Sequence, residues 1–153
     1  MTITLGTLVD LESINQVIDD AVMTWPLSER NKRLTVPILS YDQQDFRQFR
    51  FLLYKDGGRL IGVAAWDAEN MLVTTNGRGH LLHGLYIAPS HQRRGYGQRL
   101  MEEAFMASEM LGADGLIVKA QRVALGFFQH CGLKVLPVQD STDYPYLLWY
   151  QRD

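Results

Sequence analysis

Leu85-Tyr86-Ile87-Ala88-Pro89-Ser90-His91-Gln92-Arg93-Arg94-Gly95-Tyr96-Gly97-Gln98-Arg99-Leu100 decides how this chain folds. An apolar run ends at Pro89, two glycines follow, and a helical pattern begins. Leu100, Ala104, Ala107 and Leu111 fall on one stripe, with Met101, Phe105 and Ser108 beside it. The stretch reads as strand, loop, helix. The first amides of a helix have no partner in the helix, and its dipole adds partial positive charge there. Such a start suits an anion, a phosphate above all. Gly95 and Gly97 let the backbone turn and come close to that anion. Two nucleotide motifs are excluded by what is missing. The three-glycine dinucleotide fingerprint lacks its first glycine here, and no Gly-Lys-Ser/Thr follows.

Working outward, residues 2–7 alternate weakly and predict a first strand. Asp10 is the expected N-cap of a helix that carries Leu11, Ile14, Val17, Ile18, Ala21 and Val22 at helical spacing, runs to Trp25 and stops at Pro26. Residues 28–49 are polar and broken by Pro37, which predicts one or two short helices and a loop. Residues 49–54 and 60–66 form a hairpin around Asp56-Gly57-Gly58. Residues 69–79 read as a connection turning at Asn76-Gly77, and 81–87 as the next strand. After the long helix, capped by Gly112, come a strand at 115–120 and a short helix at 124–131 closed by Gly132. A last strand pair is expected at 133–137 and 144–150. Hairpins combined with one strand–helix–strand crossover predict an α+β domain, a sheet with helices on both faces, spanning residues 1–153.

The chain has 153 residues, 46% apolar and 21% charged, as expected of a soluble globular domain. No apolar run reaches the roughly 20 residues of a membrane span, and no signal-peptide pattern opens the chain, so the expected location is cytoplasmic. The single cysteine, Cys131, excludes a disulfide framework and a cysteine-rich zinc site. A net charge of −2 argues against a nucleic-acid partner. Arg93, Arg94 and Arg99 cluster instead, which suits one small anionic ligand.

Gln92-Arg93-Arg94-Gly95-Tyr96-Gly97 resembles the acetyl-CoA signature Gln/Arg-x-x-Gly-x-Gly/Ala of the GNAT superfamily of N-acetyltransferases. Leu85-Tyr86-Ile87-Ala88-Pro89 resembles the family's Leu-x-Val-x-Pro. Ala124-Leu125-Gly126-Phe127-Phe128-Gln129-His130-Cys131-Gly132-Leu133 resembles its Ala-x-x-Phe-Tyr-x-x-x-Gly-Phe. The three matches stand in the family's order and cover about a third of the chain. The resemblance implies a mixed, mostly antiparallel sheet with splayed strands, an α/β sandwich. It implies acetyl-CoA as co-substrate, no metal, and an amine acceptor, small molecule or peptide. Backbone amides of Arg93, Arg94, Gly95, Tyr96, Gly97 and Gln98 are then expected at the pyrophosphate, with Gln92 also among the cofactor-binding residues. Leu85 and Ile87, with Tyr86 between them, are expected along the pantetheine arm, paired as an added strand. Gln121 stands where the family often has an asparagine that contacts the pantetheine, and Phe127 and Phe128 are expected to flank the sulfur. The Ile87 amide is the expected oxyanion donor. Phe128 departs from the family, which has tyrosine there.

For the general base, the strand offers no carboxylate, and some relatives use water chains. His83 is the first nominee: by strand alternation it shares the face of Leu85, and imidazole has a suitable pKa. His80, Asp67 and Glu69 follow. Arg99 reads as a solvated charge, His130 as a surface residue and Cys131 as a small buried one. Trp25, Trp66 and Trp149, with the aromatics at 144–150, read as core or as an interface of a possible homodimer. Two other functions fit the same motifs. One is a non-catalytic acyl-CoA-binding module, favoured by Phe128; the other is an enzyme for a longer acyl chain. The acceptor itself leaves no pattern, and no membrane partner is expected.

Overall fold

The computed structural model describes residues 1–120, 122–137 and 146–151. In chain order these form β1 (Thr2–Leu5), α1 (Leu11–Val22), α2 (Glu29–Leu39), α3 (Asp45–Gln48), β2 (Phe49–Asp56), β3 (Arg59–Thr74) and β4 (Gly77–Ile87). Then follow α4 (Tyr96–Met110), β5 (Gly115–Ala120), α5 (Arg122–His130), β6 (Lys134–Val135) and β7 (Tyr146–Tyr150). The strands make one sheet in the order β1-β2-β3-β4-β5-β7-β6. Only β4 and β5 run parallel, because α4 lies between them as a crossover; the other pairings are antiparallel. The mixed, mostly antiparallel α+β sheet is the expected one.

Helix ends follow local chemistry. Ser28 caps α2 by accepting the Asn31 amide at 3.1 Å, and α2 continues through Pro37, which sits in its last turn. α1 ends at Val22, three residues before the expected Trp25. The chain tightens there into turns in which Thr24 and Trp25 donate to Ala21 and Val22. Asp10 holds the N-cap position of α1, as expected, but its side chain makes no cap bond to that helix. Its carboxylate accepts the Thr7 amide at 2.9 Å and closes a short 3₁₀ turn at Leu8–Asp10. The C-terminus of α4 is a Schellman motif with left-handed Gly112, whose amide bonds the Glu109 carbonyl while that of Ala113 bonds Ser108.

The connection expected at 69–79 is largely strand. β3 runs to Thr74, and β4 starts at Gly77. What looks polar in the sequence is a bulge: the register passes from Trp66↔Leu82 to Met71↔His80, so residues 67–70 loop out of the ladder. The Asp67 carboxylate holds that loop, accepting the amides of Glu69 (3.0 Å) and Asn70 (3.3 Å) and the Gln48 side chain (3.0 Å).

Apolar side chains of the sheet fill two layers. α1 covers one face, with Ile14, Val17, Ile18, Phe51, Leu53 and Val63. α4 and α5 cover the other, with Leu82, Leu85, Ile87, Leu100, Phe105 and Phe128. Trp66 and Trp149 are buried, as expected of core residues. Among the described residues no helix is long and apolar enough to cross a membrane.

Candidate active site

A second irregularity of β4 shapes the site. Ala65 pairs with Gly84, yet Trp66 pairs with Leu82, so His83 is an extra residue in the strand. A bulge bends its strand and increases the twist. The parallel ladder with β5 ends here, at Leu82↔Val118, while β5 continues against β7 as far as Ala120. β4 and β5 therefore separate beyond the bulge, and among the described residues no strand pairs with the rest of β4 on that edge.

The ladder dictates which groups face that edge. Ala88 donates to the Ile61 carbonyl at 2.8 Å, and Ile87, Tyr86 and Leu85 pair with Gly62, Val63 and Ala64. Hydrogen-bonded and non-hydrogen-bonded positions alternate along an antiparallel pair. Tyr86, like Ala88, turns its amide and carbonyl to β3, and Leu85 and Ile87 turn theirs to the open side. The Gln92 side-chain amide donates to the Ile87 carbonyl at 3.0 Å. One of the open groups is thus already taken, and the amide of Ile87 with both groups of Leu85 remains.

Next to this edge the loop enters α4. Gly95 is left-handed (φ 84°) and open around its Cα, and α4 follows it directly. Arg93 is left-handed too (φ 64°), a conformation that costs an L-residue energy and persists where the surroundings impose it. Gly97, helical and buried, faces α5: a Cβ there would stand 2.9 Å from the Phe127 ring and 3.7 Å from Ile87 Cγ1.

These parts enclose a cleft of about 630 Å³. Leu85, Tyr86, Ile87, Gln92, Arg93, Gly95, Tyr96, Gly97, Gln98, Phe127 and Phe128, all expected at the cofactor, line it. Arg94 does not; it is exposed between the left-handed Arg93 and Gly95. Gln121 lies outside the described residues. The sequence reading missed the wall from the end of α1, formed by Ala21, Thr24 and Trp25, and missed His91. Only Pro26, which forces the chain to turn after α1, hinted at it. His91 bonds Ser90 Oγ through Nδ1 (2.7 Å), and its Nε2 lies 3.7 Å from Asp56. Cys131 is buried in the cleft wall, and burial pushes its thiol up to about 11, which makes it inert at neutral pH. Arg99 packs over Tyr54 at 5.7 Å, away from the lining.

His83 is not where strand alternation put it. Leu85 packs with Leu100 and Met101 under α4, whereas His83 stands on the α1 face, against Tyr41 and Phe49. The extra residue of the bulge breaks the alternation between positions 83 and 85. His83 is exposed and is not among the residues lining the cleft. Its ring stacks on Phe49 at 4.3 Å, and Nδ1 is 2.8 Å from the Tyr41 hydroxyl. Although one edge of the ring is exposed, packing against these rings partly desolvates the imidazole and lowers its pKa, against the opposing charges of Asp45 and Asp67.

Of the other nominees, His80 and Asp67 are occupied and Glu69 lines a separate hollow. His80 is buried, bonds Ser108 Oγ through Nδ1 and packs edge-on against Trp66. Burial raises the Asp67 carboxyl, but its donors Gln48, Glu69 and Asn70 outweigh this and hold it below its ordinary value. A second hollow of about 580 Å³, lined by Asp42, Gln44, Asp45, Arg47, Gln48 and Glu69, is polar. Asp42 and Asp45 there are spent on backbone amides at the start of α3.

The sequence model of the Acetyltransferase (GNAT) family matches residues 15–133. No curated protein matches the chain in sequence. Among solved structures, the PaiA N-acetyltransferase of Thermoplasma acidophilum, in complex with coenzyme A, is similar at TM-score 0.76 and 18% identity, covering 99% of this chain and 100% of that one. A GNAT family acetyltransferase of Brucella melitensis in complex with acetyl-CoA is similar at TM-score 0.65 and 19% identity, covering 98% and 86%. The KacTA–DNA complex contains a chain similar at TM-score 0.59 and 22% identity, covering 98% and 93%. At these identities the likenesses speak for the fold alone. The family match spans well over half of the chain and takes in the β4 edge, the glycine loop and the helix of Phe127 and Phe128; the protein belongs to the GNAT family of acetyltransferases.

Proposed function

We propose that this protein transfers an acetyl group from acetyl-CoA to a primary amine of a small molecule or peptide. The observation that carries the reading is the free edge of Leu85 and Ile87, opening into the same cleft as the unpaired amides at the start of α4. A thioester with a peptide-like arm and a pyrophosphate needs both along one groove. Acetyl-CoA supplies an activated acyl carbonyl and a thiolate leaving group. The amides of Gly95, Tyr96, Gly97 and Gln98 hold the pyrophosphate, and the helix dipole favours its charge. Leu85 pairs with the pantetheine arm as a neighbouring strand would. The Ile87 amide, whose strand Gln92 anchors one peptide further on, faces the charge that develops on the carbonyl oxygen.

His83, on the α1 face and outside the cleft lining, is the nominee to receive the proton of the attacking amine, through water where the amine does not reach it. Its lowered pKa keeps it neutral at pH 7, as a base must be. Phe128 has no proton to return to the departing thiolate. Tyr86 stands in the cleft wall with its hydroxyl pushed up to about 12 by burial, so it keeps its proton at neutral pH and is a candidate donor.

The test is calorimetry with CoA, followed by thiol release from acetyl-CoA across a library of amines. Absence of CoA binding ends the reading. Binding without turnover of any amine makes the non-catalytic acyl-CoA module, which Phe128 favours, the better one.

A further inference from the structure

We infer that Tyr41 is a positioning residue that sets the tautomer of His83: its buried hydroxyl donates to Nδ1, leaving the ring proton on Nε2, at the exposed edge. The kinetic consequence, not the tautomer itself, rests on the proposed role of His83 as base.

Four features hold the pair. Tyr41 is 6% exposed, and its hydroxyl lies 2.8 Å from His83 Nδ1. Its backbone is clamped from α1: Asn15 donates to the Tyr41 carbonyl at 2.9 Å and accepts its amide at 2.8 Å. Its ring packs edge-on against Phe49 and Phe51, and Phe49 in turn stacks on His83. Gly84 provides the room, since a Cβ there would stand 2.6 Å from the Tyr41 oxygen and 2.8 Å from Tyr86 Cε2. The bulge that frees the cleft edge is therefore also what brings His83 to this hydroxyl.

The direction of the bond follows from what surrounds it. Among the described residues the Tyr41 hydroxyl has His83 Nδ1 as its one hydrogen-bond partner. Burial, reinforced by Tyr86 and Asp45, raises the phenol far above its ordinary value, so it keeps its proton. A buried O–H without an acceptor is costly, so the proton points at Nδ1. A neutral imidazole that accepts at Nδ1 must donate at Nε2. In the resting protein His83 thus presents a donor, not an acceptor, at Nε2. To take an amine proton at Nε2 the ring must first pass to the Nδ1–H form, which strands the phenol proton. That form is disfavoured by roughly 5- to 150-fold, the penalty of one unsatisfied buried donor.

Long-range ¹H–¹⁵N correlation spectra of the full chain at neutral pH read both ring nitrogens. The expected result is an unprotonated Nδ1 and a protonated Nε2 in the native protein, with the Nδ1–H form gaining population in Tyr41→Phe. A protonated Nδ1 in the native protein overturns the inference, and so does a Tyr41→Phe spectrum with unchanged populations. Should Tyr41→Phe fail to fold, the native spectrum alone decides. With the best amine, Tyr41→Phe is expected to raise kcat several-fold while leaving CoA affinity unaltered. The expected spectra with an unaltered kcat confirm the tautomer and remove His83 as base; a raised kcat with Nδ1 protonated in the native protein removes the tautomer and leaves the base.

Discussion

A Cβ placed on Gly97 would stand 2.9 Å from Cζ of Phe127, so the start of α4 and the side of α5 meet across the cleft at the width of a missing methyl group. Gly97→Val is expected to close the groove and reduce CoA affinity at least tenfold, about 1.4 kcal/mol by calorimetry. Helical φ at Gly97 and the half-exposed end of Phe127 leave the fold intact, so the melting temperature should change little. Arg93→Ala is expected to do much less than Gly97→Val, because backbone amides make the main contacts. Equal losses in the two variants would transfer the phosphate role to the guanidinium.

Phe128 lines the cleft, buried, with its ring 5.3 Å from that of Phe127. A thiol of pKa about 8.5 takes up a proton at pH 7 downhill by about 2 kcal/mol even from water, so the missing acid is a modest deficit. Phe128→Tyr is expected to raise kcat several-fold with CoA affinity unaltered. No gain would mean that Tyr86 or water already does this work, and Tyr86→Phe would then separate those two.

His83 decides the acid side of the pH–rate profile. An amine of pKa about 10.4 is neutral in roughly 1 of 2500 molecules at pH 7, a shortfall of about 4.6 kcal/mol that favours a base. His83 titrates below its ordinary 6.5, with Tyr41, Asp45, Asp67 and Tyr86 as the titratable groups around it. The rate should therefore fall only as pH drops below 6.5. His83→Ala is expected to lose that limb and on the order of a hundredfold in kcat. A profile of unchanged shape would assign the proton to a water chain.

Acid should also loosen the fold through His80. Its folded pKa lies below the unfolded 6.5, chiefly from burial, with Asp67 opposing and Arg50 adding. Between those values the unfolded chain binds more protons, so stability rises with pH. The contribution is complete above pH 6.5 and is lost as pH falls through the folded value. Urea melts between pH 7 and 5 should show it, and His80→Gln should flatten the slope. An equal slope in His80→Gln would assign the acid sensitivity to other groups.

Much of the architecture was legible because its signals are local. Strand alternation, helical stripes and the capping glycines depend on a few neighbouring residues, and the elements stand where these put them. The bulges were not legible. A bulge is a mismatch between two strands, and neither strand alone records it, so residues 69–79 passed for a connection and His83 was assigned to the wrong face. One inserted residue reverses every later side chain of a strand.

The order of residues 85–100 by itself determined a strand running through a two-glycine loop into a helix start with unpaired amides, because backbone chemistry and two glycines suffice for that. Tertiary structure alone decided what surrounds it. The end of α1 became a wall of the cleft, Arg94 was left outside, and the Tyr41 hydroxyl, 42 residues before His83 in the chain, came to rest on its ring. Contacts of that reach depend on how separate layers pack, and packing has no short-range pattern in the sequence.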